Sequence, residues 1–169
     1  IKPLTQFCAL NSTRLDPIET IFQDGVEKSF SILLPTFNRM DILPEVVAAI
    51  ERQKDAPLYD LIIVDDGSTD GTKKWLEKHT FSVPVTIIHQ PNAGPASARN
   101  AAIAAAEGDY LALIGDDTVP SQHWLKSHRD AHKKQLFDTA IIVVGKTMWH
   151  GAMKQTPFLK YLDTKAKPL

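Results

Sequence analysis

Residues 61 to 72 read Leu61-Ile62-Ile63-Val64-Asp65-Asp66-Gly67-Ser68-Thr69-Asp70-Gly71-Thr72, a short aliphatic run that breaks into acids, hydroxyls and glycines. Four apolar, mostly β-branched residues closed by such turn formers read as a strand. The same pattern recurs on either side. Phe30 to Leu34 runs into Pro35-Thr36-Phe37-Asn38-Arg39, Val85 to His89 into Gln90, Asn92 and Gly94, and Tyr110 to Ile114 into Asp116 and Asp117. A fifth apolar run spans Ala140 to Val144. Helical patterns fill the gaps. Leu43, Val46, Val47 and Ile50 share one face of a helix from about 42 to 52; a second helix carries Trp75 and Leu76 after Asp70. An alanine-rich helix from 96 to 106 stops at Gly108, and a fourth, from about 122 to 134, starts beside Pro120 and Ser121. Strand and helix in alternation predict an α/β domain, a mostly parallel sheet flanked by helices.

The chain of 169 residues suits one domain. Nineteen basic against twenty acidic side chains leave a net charge of -1, so no broad positive field exists to hold a polyanion, and nucleic acid is excluded as a partner. Cys8 is the single cysteine, which fits a reducing compartment, and a cytoplasmic location is expected. The longest apolar runs fall short of the roughly 20 residues that span a bilayer. No transmembrane segment and no signal peptide are read, so contact with a membrane face would need segments outside this chain. The chain opens at Ile1 rather than Met. It is expected to be a piece of a longer polypeptide. Residues 1–28 read as an N-terminal arm or linker with a faint apolar stripe at Leu15, Ile18, Ile21 and Phe22, and the sequon Asn11-Ser12-Thr13 inside it as a chance match.

In a parallel sheet ligands bind beyond the carboxyl ends of the strands. Each polar cluster named above follows such an end, so four strands aim polar groups at one rim. Two carboxylate pairs there repel each other, which calls for a positive partner. A hard cation, Mg²⁺ or Mn²⁺, suits a rim of carboxylates; it takes one or two of them and leaves positions for substrate phosphate oxygens. The loop after the first strand lacks the G-x-G-x-x-G of dinucleotide-binding folds, and no Walker pattern is present. Phosphate charge must therefore be met otherwise, and a metal on Asp116 and Asp117 would do so.

Four strings in order, PTFNR (35–39), IIVDDGSTDGT (62–72), NAGPASARNAAI (92–103) and EGDYLALIGDD (107–117), make the chain resemble glycosyltransferase family 2 of the GT-A, Rossmann-like fold, from about Phe30 to Trp149. The resemblance implies a nucleotide-sugar-binding domain over 29–150 and the start of an acceptor-side region over 151–169. It implies that Pro35, Thr36, Phe37 and Asn38 line the nucleotide with Asn92 and Gly94. Asp66 would accept a hydrogen bond from the base, usually uracil, with Asp65 behind it. Arg99 matches the family's basic residue near the nucleotide. Asp116 and Asp117 match its metal motif, Asp116 toward the ribose and Asp117, the catalytic candidate, on the metal and diphosphate. The family's frequent Asp-x-Asp is replaced here by Ile114 at its first position. The activity implied is hexosyl transfer from a nucleotide-diphosphate sugar, with UDP as expected carrier, to a hydroxyl of a glycan, lipid or protein acceptor, with inversion. A carboxylate base must deprotonate that hydroxyl. No such base is found before Leu169, so the fragment is expected to bind donor weakly and to transfer poorly or not at all.

Other readings compete. Asp-Asp-Gly-Ser is also a good turn, and Arg99 could merely pair with an acid. Asp66, Ser68, Asp70, Gly71 and Glu77 match positions of a calcium-binding EF-hand loop, although a strand run leads into it instead of a helix. A phospho-receiver signalling module would also combine acidic residues with a lysine such as Lys146. His128 and His132 have a zinc-compatible spacing, yet Trp124 and Leu125 beside them favour packing. Trp149 and His150 could border the donor sugar, and a short helix is expected around Phe158 to Leu162.

Overall fold

The computed structural model describes residues 29–134 and 141–148. Elements follow in the order β1 (Phe30–Thr36), α1 (Leu43–Glu51), β2 (Tyr59–Asp65), α2 (Thr72–Lys78), β3 (Val85–His89), α3 (Pro95–Ala105), β4 (Tyr110–Leu113) and α4 (Trp124–Lys133). The sheet runs β3-β2-β1-β4 and every pairing is parallel. The chain winds from β1 outward to β3, then α3 carries it back so that β4 lands on the other side of β1. Winding reverses between β1 and β4, the place beyond whose strand ends parallel sheets of this kind take their ligands.

Alternation along β1 and β2 sorts the core into two layers. Phe30, Ile32, Leu34, Leu61 and Ile63 face one way and are buried against Leu43, Val46, Val47 and Ile50 of α1, Leu76 of α2 and Leu125 of α4. Leu33, Ile62 and Val64 face the other way and meet Ala98 and Ala102 of α3. Small alanine side chains let the α3 backbone lie close on the sheet. Each fully buried aliphatic side chain contributes about 1.5–3 kcal/mol.

The expected strands and helices up to α4 are present within two residues at each end. Three details correct the sequence reading. Pro35 and Thr36 belong to β1 and not to the loop after it. Proline is tolerated there because Phe30 N–H points toward β2 and Leu33 C=O toward β4, so position 35 faces β4 as well, past Leu113 where that strand has ended. Gly108 is not the residue that caps α3, whose cap is Ala106. It passes so close to β1 that a Cβ would stand 2.5 Å from the Ser31 nitrogen, and its own N–H donates to Ser31 Oγ at 2.9 Å. The fifth strand is not formed in its described part. Residues 141–148 carry no regular structure, with Ile142 91% and Val144 86% exposed. A strand exists only where a neighbour takes its backbone groups, and an apolar run cannot supply that neighbour. Ala140, the arm 1–28, Trp149, His150 and residues 151–169 lie outside the described residues.

Packing accounts for the two α4 histidines. His132 stacks on Tyr110 with centroids 4.4 Å apart and meets Phe30 edge-on, while His128 lies edge-on to Trp124. Among the described residues no group of three or more His, Cys, Asp or Glu side chains could hold a metal ion. Burial holds both imidazoles below the ordinary value of 6.5, His128 also through its neighbour His132.

Two outcomes follow from this packing. Gly108→Ala should lower the unfolding free energy by about 2 kcal/mol, the usual cost of overpacking, seen as a lower urea midpoint at unchanged slope. Because the unfolded chain binds the histidine protons first, stability should fall as pH drops from the ordinary value of 6.5 toward the lowered folded values and level off below them. Urea unfolding across that range should show a shallower fall in His132→Phe than in the parent chain.

Candidate functional site

At the carboxyl end of β2 the two aspartates take different partners. Asp65 is buried; its Oδ1 accepts the Ser68 N–H at 3.0 Å and its Oδ2 lies 3.0 Å from His89 Nδ1. Asp66, also buried, faces the loop after β3. Its Oδ1 accepts from Gln90 Nε2 at 2.6 Å and Ala93 N–H at 2.9 Å, its Oδ2 from Gly94 N–H at 2.9 Å, and its carbonyl from Asn92 Nδ2 at 3.0 Å. Burial pushes its pKa up, but the donors on Ala93, Gln90 and Gly94 outweigh it and hold the carboxyl below its ordinary value. Gly67 between these loops has φ +80°, and a Cβ there would stand 2.7 Å from the Asn92 nitrogen, so both conformation and space demand glycine.

The rest of the acidic turn fastens β1's loop. Ser68 Oγ accepts from Asn38 N–H at 2.9 Å, Asn38 Oδ1 accepts from Thr69 N–H at 2.7 Å, and Asp70 Oδ2 accepts from Met40 N–H at 2.9 Å. Asp70 Oδ1 also takes the N–H and hydroxyl of Thr72 at the start of α2. Again burial raises its pKa while bonds from Thr72 and Met40 bring it below the ordinary value. Asn38, at φ 53°, adopts the left-handed backbone that asparagine tolerates better than most residues.

On the far side of β1 stand the other two acids. Asp66 N–H donates to Thr36 C=O at 2.9 Å, and the next residue, Phe37, donates its N–H to Asp116 Oδ2 across a long 3.3 Å. One step of chain therefore joins the acidic ends of β2 and β4. Arg39 Nε lies 3.8 Å from Asp116 Oδ1. Asp117 is exposed, and among the described residues its carboxylate accepts one hydrogen bond, from the Thr118 hydroxyl at 3.3 Å. Arg99 is exposed and makes no ion pair or hydrogen bond among the described residues, so the simple salt-bridge reading finds no support. Thr36 Oγ1, at the end of β1, is buried and has no hydrogen-bond partner among the described residues.

Of the residues expected at the site, Thr36, Phe37, Asp66, Asn92, Gly94 and Asp116 are thus linked by hydrogen bonds, and Pro35 precedes Thr36 in β1. Asn38 and Asp65 turn into the β2 loop. Ser68, Thr69, Asp70 and His89 were missed as site-building residues. His89 was findable, since Asp65 and His89 are register partners at the ends of neighbouring strands. A depression of about 360 Å³ lies beside Asp65, Lys73 and His89, and another of about 460 Å³ lies at the amino end of the sheet, beside Asp60 and Gly108; Asp116 and Asp117 line neither of these two.

The family model described as glycosyl transferase family 2 matches residues 31–164. The chain belongs to glycosyltransferase family 2. Over 152 residues it is 26% identical to chondroitin synthase of Escherichia coli, covering 89% of this chain and 21% of that protein. The chain thus spans about a fifth of that relative's length. Among solved structures it is similar to Staphylococcus aureus TarS in complex with UDP, at TM-score 0.58 and 27% identity, over 63% of this chain and 32% of that one. It is also similar to a mannosyltransferase of Pyrobaculum calidifontis in complex with GDP-Man and Mn²⁺, at TM-score 0.52 and 27% identity, again over 63% and 32%. The parallel sheet with its flanking helices is that of the GT-A fold.

The rival readings lose ground on geometry. A strand leads into the Asp66 to Glu77 loop, and the Asp66 and Asp70 carboxylates are engaged by different loops, so they do not converge on a calcium ion. Lys146, the lysine of the phospho-receiver reading, is exposed and makes no ion pair among the described residues. No helix of the described residues is long and apolar enough to cross a membrane.

Asp66→Ala should cost about 1–3 kcal/mol of stability, since it strips a buried charged acceptor from the part-buried donors on Gln90, Ala93 and Gly94. Asp66 and Asp70 have folded pKa values below their ordinary one, so their contribution is present above pH 3.8 and lost as pH falls through the folded values. Acid unfolding followed by circular dichroism should therefore be shallower over this range in Asp66→Ala than in the parent chain.

Proposed function

We propose that this chain binds a nucleotide-diphosphate sugar, a UDP-sugar in the first place, along the rim formed by the ends of β1, β2 and β4, and that within the full-length protein it transfers the sugar to an acceptor hydroxyl with inversion. The observation that carries the reading is the Thr36–Phe37 step, bonded to Asp66 on one side and Asp116 on the other. In this reading it joins the base-side acid, Asp66, to the ribose-side acid, Asp116. The bound UDP and GDP-Man of the two structural neighbours support the substrate class.

In this reading the base lies by Pro35, Thr36 and Phe37 and uses the lone pair that Gly94 leaves open on Asp66 Oδ2. The unpartnered Thr36 hydroxyl gains a polar neighbour, and Asp116, held by Phe37 and Arg39, stands toward the ribose. Asp117, exposed and lightly held, fits a hard cation whose other ligands are phosphate oxygens, which suits a rim where no three acids or imidazoles cluster among the described residues. A Mn²⁺ or Mg²⁺ ion on Asp117 would supply Lewis-acid stabilisation of the charge growing on the departing diphosphate. Arg99, matched to the family's basic residue, would add a positive charge near the nucleotide. The acceptor hydroxyl must give its proton to a carboxylate as it attacks the anomeric carbon. None of the acids described above is placed for that role. A cytoplasmic setting belongs to the same reading, on the strength of the lone Cys8.

Thermal unfolding with UDP, GDP and their sugars, with and without Mn²⁺, tests this. UDP at a hundredfold excess over Kd should add about 2.7 kcal/mol of stability, and more in Mn²⁺ than without it. Asp117→Ala should abolish the Mn²⁺-dependent increment and leave the unliganded midpoint unchanged. No stabilisation by any nucleotide would sink the proposal.

A further inference from the structure

The side chain at the end of β3 takes part in none of the roles above, yet its contact is well defined. Asp65 and His89 end adjacent strands in register, and the buried Asp65 carboxylate divides its oxygens between Ser68 N–H and His89 Nδ1, both at 3.0 Å. An ionised carboxylate only accepts, so the ring nitrogen facing it is the one that carries a proton. His89 is partly exposed, and its ring also lines the open depression shared with Ser68, Lys73 and Gln90.

The contact does not stop at Asp65. Ser68, gripped through its N–H by Oδ1, accepts with its own Oγ the N–H of Asn38, and Asn38 in turn accepts from Thr69. Asn38 adjoins Phe37, whose N–H reaches Asp116. A ring on the outermost strand of the described sheet is thereby connected, through one buried carboxylate and one hydroxyl, to the backbone that bonds Asp116. Deleting the ring donor would leave a buried charged oxygen unpaired, a state that favours rotation of the carboxylate and release of Ser68.

We propose that His89 is a positioning residue of the nucleotide site: donating from Nδ1 to Asp65, it fixes the Ser68 turn and through it the Asn38–Phe37 backbone. The effect on ligand binding rests on the function proposed above; the relay of hydrogen bonds does not.

Two variants separate the donor from the bulk. His89→Leu removes the donor, whereas His89→Asn keeps an N–H at the place of Nδ1. Amide hydrogen exchange at Ser68 and Asn38 is read first on the unliganded 169-residue chain. His89→Leu should speed both amides by on the order of tenfold, and His89→Asn should stay within about threefold of the parent. UDP affinity in Mn²⁺, measured by calorimetry well below the unfolding midpoint, should fall about tenfold in His89→Leu and recover in His89→Asn. Should His89→Leu not fold, Ser68→Ala breaks the next link: Asn38 should exchange faster while the Ser68-position amide, still bonded to Asp65, stays protected. Unchanged Ser68 and Asn38 exchange and unchanged UDP affinity in His89→Leu, even with a lower melting temperature, would reduce His89 to packing and overturn the proposal. So would an Asn variant as impaired as Leu. If the parent chain fails to bind UDP, the function proposed above falls, and the exchange arm still decides the relay.

Discussion

The carboxyl end of β1 bears the constraint on which the rim depends. Being central, β1 has a neighbour on each side, and its last residues outrun β4 while staying paired with β2. Thr36 can therefore accept the Asp66 N–H from one flank while Phe37 offers its own N–H to Asp116 on the other. Were β1 shorter, the two acidic segments would hang from separate strands with no covalent step to fix their spacing. The buried Leu33, Ile62 and Val64 beneath, covered by alanines of α3, keep that end of the strand rigid.

Four aspartates at one rim pose an electrostatic problem, and the structure resolves most of it with local donors. Asp65 is met by Ser68 and His89, Asp66 by Gln90, Ala93 and Gly94, and Asp116 by Phe37 and Arg39. Backbone N–H groups stabilise the ionised form without bringing a counter-ion into the core. Repulsion between the pairs is thus a weaker argument for a cation than it looks in the sequence. What remains for a metal is Asp117, the member of the set left facing solvent, together with whatever oxygens a diphosphate brings.

The glycines and hydroxyls of the acidic turn have mainly architectural work. Gly67 lets the β2 and β3 loops touch, while Ser68, Thr69 and Asp70 bind the loop after β1. Their presence in a turn was legible from residue type, because such residues bond nearby backbone. That they bond the backbone of another loop, some thirty residues away, was not, since nothing local in the chain encodes which loop lies alongside. Gly108 teaches the same lesson: its place after α3 suggested a cap, and its reason is the closeness of Ser31 in β1.

The chain order of strands and helices, their limits to within two residues, and the clustering of polar residues after each strand were determined by the sequence alone. Hydrophobic periodicity and turn chemistry act over a few residues and can be read there. Only the tertiary structure decided that β4 pairs with β1, that Asp65 meets His89 while Asp66 is held by Gln90, Ala93 and Gly94, and that residues 141–144 stay unpaired in the described structure. Each of those depends on a partner distant in the chain. A hydrogen-bonding group carries its need for a partner in its own chemistry; which partner meets that need is settled when the chain packs.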